Sequence, residues 1–320
     1  MRRRTALAVI LAAAVAPRPR AADRPKRIGY LSGGSGPGEM AKSLAQLGWT
    51  EGRNVLFEIR VAPPGSDPQA MKAAAEELVR SKPDVLVAFT DRADALLAAT
   101  RTIPIVSAFH PDPVGMGLAQ SLRRPGGNVT GLSTGSRESA GAWLGILRAM
   151  RPRLSRLAVI HGEQGEARMR IVTRSWQEIA ASLGISFTFA PSATLADVAR
   201  AFGALGDPAS AAAFLVFGGM TTVSMPGAIM KDVLALAVRR RIATVGDARE
   251  GALMEYDMSY TDPQGRIAAM IDKILRGQRP AEIPFELPDR VEFILNRATA
   301  NAIGAIVTPE VLLRATDVVG

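Results

Sequence analysis

Cysteine is absent from all 320 residues, which excludes disulfides, thiol catalysis, cysteine-based zinc sites and a lipid-modified N-terminal cysteine. Histidine is almost as scarce: His110 and His161 are the only two, too few for a histidine-rich metal centre. Aromatic residues make up 5% of the chain, which leaves no evident stacking surface for single-stranded nucleic acid. Long apolar runs are missing too. The stretch from Ala6 to Ala16 falls short of the ~20 residues a membrane-spanning helix needs, and no other run is long enough. No metal and no cofactor is expected.

What the chain does have is aliphatic bulk and a positive balance. Hydrophobic residues make up 48% and charged residues 22%, a globular composition long enough for two cores. The net charge of +9 resembles a nucleic-acid signal until it is located. Arg2, Arg3, Arg4, Arg18 and Arg20 account for five of those charges within residues 1–22, where no acidic residue stands. The other charges alternate in sign along helices, as in Arg80, Lys82 and Asp84, and read as a solvated surface with no nucleic-acid partner. Arg2–Arg4 followed by the apolar run reads as an export signal over residues 1–22, of Sec or twin-arginine type, with cleavage after Ala21 or Ala22. It predicts a periplasmic protein.

From Arg27 onward, short apolar runs alternate with segments of helical period. Arg27–Leu31, Val55–Val61, Asp84–Phe89, Ile103–Phe109 and Val129–Ser133 read as strands, with helices over Asp67–Ser81 and Asp91–Thr100. The pattern restarts with strands at Leu157–His161, Ile185–Ala190, Ala212–Phe217 and Ile242–Val245, and helices near Ala167–Leu183, Leu195–Leu205 and Gly227–Arg240. Such alternation implies α/β architecture with two doubly wound parallel-sheet lobes joined by crossing strands. A single nine-stranded sheet is the alternative. The expected division is lobe 1 over residues 23–130, with part of 255–290 returning to it. Lobe 2 then covers 131–254, with 291–320 packing on it. Crossing strands are expected near Val129–Ser133, Ala252–Tyr256 and Phe285–Arg290.

In a doubly wound sheet, ligands gather at the carboxyl ends of strands, where helix N-termini carry free N–H groups. At these places the sequence sets Ser32 and Gly33, Thr90 and Asp91, His110 and Asp112, Ser133 and Thr134, Gly218, and Asp247. Each also reads as a helix cap or turn former, but together they are what a polar ligand cleft requires. Arg92, in the first turn of its helix, reads as solvated. Two motifs point elsewhere and fail. The loop Gly33–Gly38 misses the dinucleotide fingerprint because Glu39 stands where glycine is needed. Gly131-Leu132-Ser133-Thr134-Gly135 has the form of a hydrolase nucleophile elbow, but the one later histidine, His161, comes too early to serve Ser133. No enzyme is expected.

Several segments resemble one family across nearly the whole chain. They are Arg27–Ser32; Leu47-Gly48-Trp49-Thr50-Glu51-Gly52-Arg53-Asn54-Val55; Ile103–Val106 with Asp112-Pro113-Val114; Arg124-Pro125-Gly126-Gly127-Asn128-Val129-Thr130-Gly131; Ile274–Pro284; and Phe293 through Asn296 and Pro309 to Ala315. The family is that of bacterial ABC-transporter substrate-binding proteins, whose characterised members include receptors for tryptophan and other aromatic amino acids. The resemblance implies a type I periplasmic-binding fold and a cleft that captures a small polar solute, such as an amino acid, for an ABC permease of the inner membrane. A monomer is expected. A sensory receptor of the same fold is the alternative, with a serine hydrolase on Ser133 a distant third. Two loops depart from the family pattern: the short, glycine-rich stretch between Leu31 and Leu47, and Gly162–Glu166 after His161.

Overall fold

A computed structural model describes residues 24–63, 67–89, 91–162, 169–170, 173–216 and 227–320. The first lobe begins with β1 (Lys26–Ser32), α1 (Gly38–Gln46), β2 (Val55–Val61), α2 (Pro68–Arg80), β3 (Val85–Phe89) and α3 (Asp91–Ala99). It continues with β4 (Ile105–His110) and β5 (Val129–Ser133). The strands lie in the order β2-β1-β3-β4-β5, and every pair is parallel. Central strands are buried on both faces, as a parallel sheet between helices requires. Val85, Leu86, Val87 and Ala88 are all fully buried.

The second lobe contains α4 (Ser136–Met150), β6 (Arg156–His161), α5 (Arg174–Ser182), β7 (Ser186–Pro191), α6 (Leu195–Ala204), β8 (Ala211–Leu215), α7 (Met230–Arg239), β9 (Ala243–Val245) and β10 (Met254–Ser259). The chain then leaves it for α8 (Pro263–Leu275) and returns as β11 (Arg290–Asn296), α9 (Arg297–Ile303), α10 (Pro309–Arg314) and β12 (Asp317–Val319). Its sheet runs β12-β11-β10-β9-β8-β6-β7. All neighbours are parallel except β10 and β11, which run antiparallel because the chain re-enters from the other lobe. Trp143 on α4, Trp176 on α5 and Phe214 on β8 stack within 4.8–5.5 Å of one another and anchor this core.

There are thus two sheets, not one. The excursion through α8 joins the first lobe: Ile267, Met270, Ile271 and Ile274 share a core with Ile28, Met40 and Leu44. Each such side chain contributes about 1.5–3 kcal/mol by leaving water. Trp49 donates its indole N–H to Asp272 at 2.7 Å and fixes α8 to the loop after α1. Asp262 caps α8 through Gly265 N–H at 2.9 Å, and Pro263 takes the first helical position, where a missing N–H costs nothing.

Two expectations shift. The boundary between residues 130 and 131 falls inside β5, which pairs with β4 along its length and belongs to the first sheet. The expected crossing at Ala252–Tyr256 also moves, because β10 runs on to Ser259 within the second sheet. The crossing falls at Tyr260–Asp262, next to the α8 cap.

Candidate functional site

The carboxyl ends of β1 and β3 open onto a cavity of about 460 Å³. Its apolar wall is Tyr30 from β1, Phe89 from β3 and Met40 from α1. The loop Gly33–Gly38 forms its rim, and Glu39, Arg92 and Gln264 bring polar groups from the first turns of α1, α3 and α8. Three helix N-termini therefore surround one space, each with its partial positive charge. Burial pushes the Tyr30 phenol up, while Ser32, Ser35 and the Arg92 charge pull the other way. The phenol is thus a neutral hydrogen-bonding group at any physiological pH.

Arg92 is not solvated; only 4% of it is exposed. Its Nε donates to the Ala62 carbonyl just past β2, at 2.8 Å, which draws the side chain inward beneath the loop after β1. Gly33 makes room for it: a β-carbon there would lie 2.9 Å from Arg92 Nη2 and 3.1 Å from Cζ.

An aromatic row leads from the cavity to the crossing segments. Tyr30 meets Phe89 edge-on with centroids 6.2 Å apart, Phe89 meets Phe109 at 5.8 Å, and Phe109 meets Tyr260 at 5.9 Å. Phe109 sits at φ +58°, a left-handed conformation uncommon for a bulky residue, at an irregularity in the β4–β5 register. Tyr260 lies where three crossing segments meet. Its hydroxyl is 2.6 Å from both the Ser133 and the Glu286 carbonyls, to which it donates. Arg266 reaches the Glu286 carboxylate at 2.7 Å and Asp289 at 2.6 Å, with its guanidinium 5.6 Å from the Tyr260 ring centre. Ser133 N–H donates to Glu286 O at 2.9 Å, and Thr261 N–H to Asp289 at 2.9 Å. Burial, reinforced by the Glu286 charge, raises the Tyr260 phenol far above its ordinary value. Tyr260→Phe takes this donor from the inward Ser133 carbonyl, while Glu286 O keeps the Ser133 N–H, so a loss of about 1–2 kcal/mol is expected in urea unfolding. An unchanged midpoint would mean that the Ser133 carbonyl finds water.

The residues singled out from the sequence divide into groups. Gly33 lines the cavity. Ser32, at its edge, spends its hydroxyl on the adjoining turn, donating to Ser35 O and accepting from Gly34 N–H. His110, Asp112, Ser133 and Thr134 converge at the crossing. Thr134 N–H donates to His110 O at 2.9 Å, and His110 and Ser133 are paired across β4 and β5. His110 is fully buried with Nε2 3.3 Å from Asp94, and its Nδ1 meets no partner among the described residues. Asp112 accepts from Gly115 N–H at 2.7 Å and lies 3.5 Å from Arg137 on α4, an ion pair between the lobes. The Ser133 hydroxyl accepts from Gly135 N–H, an arrangement that tightens a turn and activates no nucleophile. Asp247 stands apart, beyond β9, accepting the N–H groups of Arg249 and Glu250. Thr90, Gly218, the Asp91 side chain and residues 163–166 of the loop after His161 lie outside the described residues.

Tyr30, Phe89 and Phe109 were missing from that set. The sequence carries a signal for them: an aromatic residue in or near the last position of three strands that turn out to be β1, β3 and β4, adjacent in the sheet. Among the described residues no group of His, Asp or Glu gathers as metal ligands, and no helix is long and apolar enough to cross a membrane.

The family model for ABC transporter substrate binding protein matches residues 37–319. A tyrosine-binding protein of Clostridioides difficile is 26% identical over 267 residues, covering 82% of this chain and 74% of that protein. Among solved structures, a conserved domain protein from Vibrio cholerae superposes with a TM-score of 0.69 at 24% identity, covering 92% of this chain and all of that one. The ABC domain from Streptococcus pneumoniae in complex with L-Trp gives 0.65 at 20% identity, with the same coverage. The type I periplasmic-binding fold, two parallel lobes joined by crossing segments, is common to them.

Proposed function

The chain belongs to the family of ABC transporter substrate binding proteins, which bind small molecules and are not enzymes, and from that premise we propose that it is a periplasmic receptor for an aromatic amino acid. The export signal at residues 1–22 takes it out of the cytoplasm, the cleft captures the solute, and an inner-membrane ABC permease receives it. The observation that carries the reading is the cavity at the ends of β1 and β3, where Tyr30 and Phe89 supply an aromatic wall beside Arg92. Aromatic rings prefer edge-on or offset partners, and each such contact is worth about 0.5–1.5 kcal/mol beyond the area it buries. The names of two relatives, one tyrosine-binding and one solved with L-Trp, support the same class.

Capture is a population shift towards a closed pair of lobes, with rotation at the crossing segments. His110, Asp112, Ser133 and Thr134 belong to that junction in this reading, and Gly33 to the ligand wall. The test is a thermal-shift panel of the exported protein with tyrosine, tryptophan, phenylalanine, aliphatic amino acids, sugars and organic acids. A ligand present at 100 times its Kd stabilises the folded state by about 2.7 kcal/mol. An upward shift with aromatic amino acids alone is expected. A shift confined to sugars or aliphatic solutes, or none at all, overturns the reading.

A further inference from the structure

We propose that β2 is a docking edge for a second copy of this chain: two β2 strands pair antiparallel about a twofold axis through Ile59 and join the first-lobe sheets of two molecules. The inference goes beyond solute capture and does not depend on what the cavity binds.

Three observations carry it. First, β2 stands at the edge of its sheet and pairs with β1 alone. Its backbone groups alternate in direction. Asn54 O accepts from Lys26 N–H and Ala62 N–H donates to Ser32 O, both on β1, so residues of even number face inward. Phe57, Ile59 and Val61 therefore turn their N–H and C=O groups outward, where the sheet has no further strand. On that side Val55 is already taken: its N–H donates to Thr50 O and its carbonyl accepts from Gly52 N–H. The open edge thus begins at Phe57.

Second, nothing blunts it. β2 keeps unbroken register with β1 over seven residues, holds no proline or bulge, and leaves Ile59 36% and Val61 54% exposed. Monomeric sheets usually protect such an edge with proline, a bulge or lysine. Third, the edge is complementary to itself when reversed. About Ile59, Glu58 falls opposite the partner's Arg60, and Phe57 opposite the partner's Val61. The outward-facing Phe57, Ile59 and Val61 then form the hydrogen-bonded pairs, and Glu58 and Arg60 the intervening pairs, whose side chains lie closer. The Ile59 carbonyl, which accepts from Arg60 Nη1 at 2.9 Å, has a second lone pair for the partner's N–H. Glu58 is already bonded to Arg27, and Arg60 to Glu77 at 2.8 Å. Pairing therefore builds a row of alternating charge: Arg27, Glu58, the partner's Arg60 and the partner's Glu77. The neighbouring registers set Glu58 against Glu58 or Arg60 against Arg60, and like charges directly opposite destabilise a sheet.

No residue of β2 lines the cavity, and the crossing lies beyond β5 at the other edge, so pairing leaves capture and lobe rotation free. A twofold contact uses the same patch on both molecules and closes at two. So short a contact falls at or below the ~1,200 Å² of a standard interface, and the dimer is a concentration-dependent one.

The experiment is sedimentation velocity of the exported protein from about 2 to 200 μM, a range that brackets weak association. The parent is expected to move from monomer towards dimer mass as concentration rises. Ile59→Lys and Ile59→Glu each set like charges across the axis and are expected to weaken dimerisation at least about tenfold, with thermal unfolding midpoints showing that both remain folded. An equimolar mixture of the two sets Lys against Glu at the axis and is expected to restore the dimer. Amide hydrogen exchange on the unaltered chain needs no variant: the Phe57, Ile59 and Val61 N–H groups are expected to slow as concentration rises. A monomer at every concentration, a dimer that leaves these amides unprotected or survives both substitutions, or folded variants whose mixture stays monomeric overturns the proposal.

Discussion

Replacing Gly131 by alanine is expected to cost the fold more than about 3 kcal/mol, beyond the usual range for one added methyl in a packed interior. The added β-carbon would stand 1.8 Å from the Ser107 carbonyl oxygen, 2.7 Å from its carbon and 2.9 Å from Ser107 N. All three are backbone atoms of β4, paired with β5 at this position, so no rotamer change relieves the overlap. The strands must part, and the damage spreads to the crossing, because Gly131 O accepts from Glu286 N–H at 3.0 Å and Leu132 bridges Glu286. At about 2–4 °C per kcal/mol, the melting midpoint falls by roughly 6–12 °C. Gly141→Ala is the control: it is an exposed position within α4 where a β-carbon meets nothing within 4 Å, so helix propensity predicts a gain of up to about 1 kcal/mol. Both variants are read by thermal and urea unfolding followed by circular dichroism. A Gly131→Ala protein within 1 kcal/mol of the parent would mean that β4 and β5 do not approach as described.

Gly131 also marks where an enzyme-like motif acquires a different meaning. The Gly-x-Ser-x-Gly run exists because the first glycine admits the neighbouring strand and the last, Gly135, takes φ +67° as the chain turns into α4. Against Gly135 lie Met258, near the end of β10, and Pro288, from another of the crossing segments. The glycine spacing follows from the passage between lobes, and the serine between them serves the turn.

The strands were the most legible part of the molecule. Val55–Val61 and Val129–Ser133 are read from composition with the same ends the structure gives them, because both are short runs rich in apolar and β-branched residues bounded by breakers. The helix α1 was not visible: it starts at Gly38 behind Pro37, inside a glycine-rich stretch that reads as loop, and Met40 and Leu44 form its buried side. Among the described residues, those singled out stand at the carboxyl ends of strands, because short apolar runs and their breakers fix where strands end. What each side chain does there was not legible. Whether Asp112 faces a ligand or caps a turn depends on Gly115 and Arg137, and the latter is brought there only by the second lobe. Arg92 was read as solvated because periodicity places it in the first turn of a short helix. The Ala62 carbonyl, just past β2, accepts its Nε–H and draws the side chain inward, and no local pattern announces that contact.

Arg151 is a second departure, beside Arg92, from a reading in which every remaining charge is solvated, and Arg151→Met is expected to cost about 3 kcal/mol. The residue is 5% exposed and occupies the C-terminal cap position of α4, its backbone N–H donating to Leu147 O. Its guanidinium donates to Ile303 O at 3.1 Å, to Arg241 O at 3.2 Å and to Pro208 O. Two of these carbonyls lie at the C-terminal ends of α9 and α7, where carbonyls lack partners within the helix and a cation is favoured. Burial pushes the guanidinium below the usual arginine range, with Asp207 opposing, so the group bears a desolvation cost that only its hydrogen bonds offset. Methionine fills the volume but leaves the carbonyls unpaired, at about 1–3 kcal/mol each before water relaxes in. Arg151→Lys keeps the charge without the fork and is expected to recover part of the loss. The cluster sits at the amino ends of the strands, with Pro208 leading into β8, while the cavity lies at the carboxyl ends of β1 and β3. Urea unfolding should therefore report a lower midpoint while the Kd of the folded Arg151→Met protein for its aromatic ligand stays within twofold of the parent. A matching loss of affinity would mean that the base of the second lobe is coupled to the cleft.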